Sequence, residues 1–174
     1  DGSAWQGWQT QPHRQTVQDT LEAALAQFCG VTDAVPTICA GRTDTGVHAT
    51  GQVIHLDLTR DWKPEVVMNA LNAHLVDEAV VVLEAEVAPE GWHARFSATE
   101  RRYLYRILTR RAPPVLDAGQ VWHLLTPLDL ALSKQVVAVA LQSVRERVAG
   151  ASEDYDLTKE IVRAEAKASF ASTI

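Results

Sequence analysis

Cysteine is scarce in this sequence of 174 residues: only Cys29 and Cys39 occur, and neither stands in a Cys-x-x-Cys or Cys/His ligand spacing. That pattern argues against a disulfide scaffold and a structural zinc site, and fits a reducing cytoplasm. Long apolar runs are missing too. No stretch approaches the roughly 20 residues of a membrane span, and the opening Asp1-Gly2-Ser3 lacks the basic and apolar regions of a signal peptide, so neither membrane insertion nor secretion is expected. There is no internal repeat and no low-complexity tract. What remains is an ordinary globular composition, 47% hydrophobic and 22% charged, long enough to bury a core and sized for about one domain.

A basic excess is lacking as well. The net charge of −6 speaks, taken alone, against a polyanionic partner. The distribution reverses that reading. Residues 77–90 carry five acids and no Lys or Arg, whereas 91–111 carry six arginines against Glu100 alone. A local patch, not the sum, is what a polyanion meets.

Periodicity organises the chain. Thr16 is placed to cap a helix over 17–29, in which Val17, Leu21, Leu25 and Phe28 recur at helical spacing before Gly30 stops it. Thr37–Ala40 and Gln52–Leu58 read as short strands joined by the glycine-bearing loop 41–51. Pro64 suits the first turn of a helix reaching about His74, and Ala79–Val87 alternates as a strand with Glu84 and Glu86 on one face. Arg101–Thr109 is a further strand, with Tyr103, Tyr105 and Ile107 on one face and Arg102, Leu104, Arg106 and Leu108 on the other. After Pro113-Pro114, Thr126-Pro127-Leu128-Asp129 opens a long helix to about Val148. A polar linker over 150–156 then precedes a last, weakly amphipathic helical segment. These elements predict an α+β fold, a mostly antiparallel sheet flanked by helices, with no clear domain boundary before about residue 126.

The most informative stretch is Gly41-Arg42-Thr43-Asp44-Thr45-Gly46-Val47-His48-Ala49-Thr50-Gly51-Gln52-Val53-Ile54-His55. A carboxylate on a loop between two strands, with an Arg two positions away, can act as nucleophile or base while the cation keeps it ionised and oriented. The same spacing also fits a plain loop salt bridge with glycines supplying turn geometry. Spacing leaves both readings open. His48, His55 and Asp57 match no standard metal-ligand pattern, so histidines satisfied by backbone hydrogen bonds are expected and no metal is. Strand tyrosines commonly pack a core, arginine runs commonly form a solvated edge, and the five tryptophans read as core or rim anchors.

The wording of the loop resembles the signature of the TruA family of transfer-RNA pseudouridine synthases, and three other segments resemble that family in the right order. These are Asp1-Gly2-Ser3 with Gly7-Trp8-Gln9-Thr10-Gln11, Thr16-Val17-Gln18 followed by Leu21-Glu22, and Trp92-His93-Ala94-Arg95-Phe96-Ser97-Ala98 with Arg101-Arg102-Tyr103-Leu104-Tyr105. The resemblance covers residues 1 to about 130. It implies a pseudouridine synthase, RRM/ferredoxin-like half fold, with a catalytic domain over 1–125 that lacks its first strand and a helical connector over 126–174 toward a second half. It further implies an isomerase that converts uridine to pseudouridine in the anticodon stem-loop of tRNA, with Asp44 as the essential carboxylate, Arg42 as its partner and Tyr103 against the target base. Because the reaction gains and loses nothing, no cofactor and no metal is needed. The target base lies stacked in RNA and must be extruded, for which an aromatic platform is suited. His48, His93, Arg95, Arg101, Arg102, Arg106, Arg110 and Arg111 are the expected RNA contacts, the arginines to phosphates. The partners implied are tRNA and, in full-length members, a second copy in a homodimer. The alternative is a truncated, non-catalytic RNA-binding module.

Overall fold

The computed structural model describes residues 1–13, 15–101, 103–126 and 162–166, which fall into two compact units, Asp1–Ala98 and Thr99–Ile174. No helix among the described residues is long and apolar enough to cross a membrane.

The first unit is built on two helices. Helix α1 spans Val17–Cys29 and α2 spans Pro64–His74, matching the predicted bounds because both ends of α1 and the start of α2 carry local stop and start chemistry. Thr16, fully buried, accepts the Asp19 amide at 3.2 Å on its side chain and bonds the Asp19 carboxylate in return, so two polar groups satisfy each other at the helix mouth. At the other end Gly30 takes the left-handed conformation, φ 67°. The amides of Gly30 and Val31 then return to the carbonyls of Gln27 and Ala26. Helix α2 has no side-chain cap; Pro64 at its first turn has no amide to satisfy, and the Val66 amide returns to the Lys63 carbonyl at 2.9 Å. Leu21, Ala24 and Leu25 of α1 meet Leu71 of α2 and Leu75 just beyond it. Trp8 and Cys39 close this core.

Strand β1 (Ile38–Cys39) and strand β2 (Ile54–His55) pair antiparallel, Ile38 opposite His55 and Cys39 opposite Ile54. Both are shorter than predicted. The polar face of α1 fixes where β1 starts: Glu22 Oε1 accepts the Thr37 amide at 2.8 Å and the Thr37 hydroxyl at 3.0 Å, and Gln18 donates to the Thr37 carbonyl at 3.1 Å.

The strand expected over Ala79–Val87 is absent as a ladder. Val80 and Val82 do turn toward the core, so the alternation is real. The neighbour is a side chain instead: the Asn72 amide group donates to the Val82 carbonyl and accepts the Val82 amide, both at 2.8 Å, filling on α2 the role of a strand edge.

In the second unit, β3 (Tyr103–Thr109), β4 (Trp122–Leu124) and β5 (Val162–Ala166) form a sheet in the order β4-β3-β5. Both pairings are parallel, with Ile107 opposite Trp122 and Tyr103 opposite Val162. The expected mostly antiparallel sheet is not what the described residues show: among them one strand pair is antiparallel and two are parallel. Hairpins require antiparallel neighbours, but residues 110–121 make a connection long enough to carry the chain back for a parallel return. A second correction concerns 162–166, assigned to a helical segment by sequence and found as strand. Val162, Ala164 and Ala166 alternate there with Arg163 and Glu165, a period of two. The long helix to Val148, the 150–156 linker and most of the expected connector lie outside the described residues.

Candidate active site

The loop joining β1 to β2 is held at its neck and along its length. At the neck the Ala40 amide donates to the Val53 carbonyl at 2.8 Å, and Gln52 donates its side-chain amide to the Gly41 carbonyl. Along its length the loop lies on the first eight residues of the chain. Trp8 donates its amide to the Thr43 carbonyl at 2.9 Å, and the Gly46 amide donates to the Trp5 carbonyl at 3.2 Å. The same opening segment is tied to α1, since the Trp8 and Gly7 carbonyls accept the amides of Gln18 and Val17.

Two glycines make that approach possible. A Cβ on Gly2 would overlap the Val47 carbonyl, and one on Gly7, whose φ is 86°, would stand 2.6 Å from the Thr43 carbonyl oxygen. Any other residue at either position forces the opening segment off the loop. Between these clamps Asp44 begins a tight turn closed by the Val47 amide to the Asp44 carbonyl at 3.1 Å, with Gly46 at φ 78° in the position that favours glycine. The outcome is a carboxylate on a pinned backbone with its side chain exposed. Arg42 is exposed on the same loop, and among the described residues no ion pair joins it to Asp44.

His48 sits at the end of the clamp. Its Nδ1 accepts the Gly2 amide at 3.1 Å and lies 3.2 Å from the Asp1 carboxylate. One ring nitrogen cannot accept from the first and donate to the second at once. The Gly2 amide can only donate, so Nδ1 is the acceptor and has no proton to give the Asp1 oxygen, which accepts the Ser3 amide at 2.8 Å.

A second turn docks on β2. His55 Nδ1 accepts the amide of Ala94, a residue only 1% exposed, at 3.1 Å. His93 and Ser97 bond reciprocally: the Ser97 amide donates to the His93 carbonyl at 2.8 Å and the His93 amide to the Ser97 hydroxyl at 3.0 Å. His93 Nδ1 accepts the amides of Arg95 and Phe96. Both imidazoles thus carry the lone pair on Nδ1 and the proton on Nε2. Arg95 and Phe96 point outward on the turn. Burial pushes the Cys39 thiol above its ordinary value, while Arg42 and Arg95 act against the shift.

The first unit carries Arg42, Asp44 and His48 on the clamped loop and His93 and Arg95 on the turn that docks on β2 through His55. Tyr103 stands at the start of β3 in the second unit, and Arg102 lies outside the described residues. Of the other arginines, Arg101 is half-buried, and Arg106 pairs with Asp117 at 2.9 Å and donates to Gln120 at 3.2 Å. Arg110 donates to the carbonyls of Ala112 and Pro113, and Arg111 is exposed. Gly2, Gly7, Trp5 and Trp8 are the functional residues that pattern reading missed as a loop clamp. Their signal was available in the glycines themselves, beside tryptophans, in a segment with no periodicity of its own.

Residues 1–97 match the family model described as tRNA pseudouridine synthase. The chain is 62% identical over 129 residues to the tRNA pseudouridine synthase A of Caulobacter vibrioides (strain NA1000 / CB15N), which covers 74% of this chain and 51% of that protein. It is 56% identical over 146 residues to the protein of the same description from Caulobacter sp. (strain K31), covering 84% and 57%, and 51% identical over 141 residues to that of Bordetella petrii, covering 81% and 52%. The chain spans about half the length of the curated relatives it matches.

Proposed function

The chain belongs to the tRNA pseudouridine synthase family, and from that premise we propose that it carries the catalytic part of an isomerase converting uridine to pseudouridine in the anticodon stem-loop of tRNA, with Asp44 as the essential group. The observation that carries this reading is the clamped turn at Asp44: a carboxylate left exposed on a backbone that two close-packed glycines and the amides of Trp8 and Gly46 hold in place. Catalysis rewards such a group, because a fixed carboxylate loses little freedom when it meets the ribose.

In the reaction the bond from ribose C1′ to uracil N1 breaks, the base turns, and C1′ rejoins at C5, which loses its proton to solvent while N1 takes one up. Atoms and electrons balance within the nucleotide, so the chemistry calls for neither redox cofactor nor metal. Arg42, two positions away and exposed on the same loop, is the proposed partner of the carboxylate as substrate docks. Tyr103 supplies the ring against the extruded base. His48, His93, Arg95, Arg101, Arg102, Arg106, Arg110 and Arg111 contact the RNA. Arg106 is available for this because its bond to Asp117 joins two half-exposed side chains, a pairing worth only about 0–1 kcal/mol, and a phosphate can replace it. The catalytic domain comprises residues 1–125, in a cytoplasmic protein that acts as a homodimer.

Release of tritium from C5-labelled uridine in tRNA tests the assignment. In the intact natural protein, Asp44→Asn is expected to cut release by more than about 10³-fold while tRNA affinity stays near the wild-type value. Full turnover by Asp44→Asn would remove Asp44 from the chemistry.

A further inference from the structure

The turn that docks on β2 continues a column of rings. Trp92 meets the His55 ring edge-on at 6.0 Å, His93 packs against His55 at 4.5 Å, and Phe96 stacks on His93 at 4.3 Å with only 30° between the planes. The column starts at a strand and ends in solvent: His55 and His93 are half-buried, whereas Phe96 is 75% exposed. Its inner members cannot turn away, because each imidazole is fixed through Nδ1 by backbone amides of the same turn.

We infer that Phe96 is a stacking ledge for an unpaired nucleobase of the RNA substrate, the next ring in the column. This rests on the RNA-modifying reading above. Three observations single out a nucleotide as the occupant. A flat outer ring offered on a rigid column suits a planar aromatic partner, and every base presents such a face. Arg95, adjacent in the chain and exposed on the same turn, is a cation placed for the backbone phosphate of that nucleotide. The turn that carries the ledge docks on His55, one residue from the Cys39–Ile54 pair beyond which the β1–β2 hairpin opens into the Asp44 loop. A nucleotide beside the target uridine, unstacked when the target is extruded, is the kind of base this ledge would hold. Tyr103 is the platform proposed for the target itself; Phe96 takes a neighbour.

The test uses the intact natural protein and an anticodon stem-loop RNA carrying the target uridine, in a set where each nucleotide near the target is in turn made abasic. Phe96→Leu keeps apolar bulk but removes the flat face, and is expected to weaken RNA binding about tenfold, a loss of the size one stacked base contributes. Phe96→Trp should bind as the wild type does. The Phe96→Leu loss should vanish on one abasic RNA and persist on the others, while kcat and Tm stay at their wild-type values. The ledge is overturned if Phe96→Leu binds like the wild type, if its loss is equal on every abasic RNA, or if the loss comes with a lower Tm, which would make the ring an internal packing contact. A wild-type protein that forms no pseudouridine in any tRNA would overturn the functional reading itself, and the ledge with it. That result is distinct from an active enzyme indifferent to Phe96.

Discussion

The first unit and the second differ in where their apolar side chains go. In the first, Leu25 is wholly buried and Leu21, Leu71, Leu75 and Trp8 are almost so, and the loop bearing Asp44 is bonded directly to that packed frame. Among the described residues of the second, Leu104, Val115, Leu116, Trp122 and Leu125 are all more than half exposed, as Val76, Leu83 and Val87 are in the first, and β3 is paired with β4 and β5. The carboxylate proposed for the chemistry belongs to the packed unit. Most of the arginines proposed to meet phosphates belong to the second, and for that task a long, flexible cation loses little by lacking a rigid seat.

Substitution of buried against exposed leucines gives the largest break in that contrast. Leu25→Ala should destabilise the first unit by about 2–5 kcal/mol in urea unfolding, whereas Leu104→Ala, on a 60% exposed side chain, should stay within about 0.5 kcal/mol. Equal effects would mean that the two units draw on one core. Gly2→Ala comes next. The added methyl meets the Val47 carbonyl, so a loss of about 1–3 kcal/mol is expected, together with faster hydrogen exchange at the Gly46 amide and a lower kcat. An unchanged exchange rate there would show that the opening segment does not clamp the loop.

Neutralising Arg110 and Arg111 together sharpens the comparison from the other side. The salt dependence of tRNA binding should flatten by about one unit of slope per lost contact, somewhat less on single strands, with turnover at saturation nearly untouched. A fall in turnover at unchanged affinity would put these arginines in the chemistry. The smallest effect concerns Cys39. Its folded-state pKa is raised, first by burial, so the unfolded thiol ionises before the folded one. Stability is therefore complete below the ordinary thiol value of 9.0 and declines as pH rises from there through the folded value. Cys39→Ser should remove this alkaline decline in a pH series of urea midpoints.

Sequence was most legible where a signal is local. The bounds of α1 could be read to the residue because Thr16 and Gly30 act on amides and carbonyls within one turn, and Pro64 did the same for the start of α2. The stretch after α2 shows the limit. Alternation told correctly that Val80 and Val82 face inward, but it reports burial and not the hydrogen-bond partner, and Asn72 took the place of a neighbouring strand. Strand direction in the second unit was likewise invisible, since β5 pairs with β3 across more than fifty positions and no turn chemistry connects them. At the site, the Asp44 loop announced itself by composition. The clamp beneath it did not, because the reason for Gly2 and Gly7 is a backbone some forty positions away.

That separation bears on how the site comes into being. The clamp joins the opening segment to a loop made only after α1 and β1 have emerged, so the turn at Asp44 cannot be set by its own neighbourhood while the chain grows. It is a product of long-range closure, the kind of contact that costs entropy before it gives anything back. A partly folded chain would own a finished α1 and an unformed turn at Asp44. The amides of Trp8 and Gly46, which bridge the two segments, should consequently gain protection in a single step and lose it in a single step, later on folding and earlier on unfolding than those of α1.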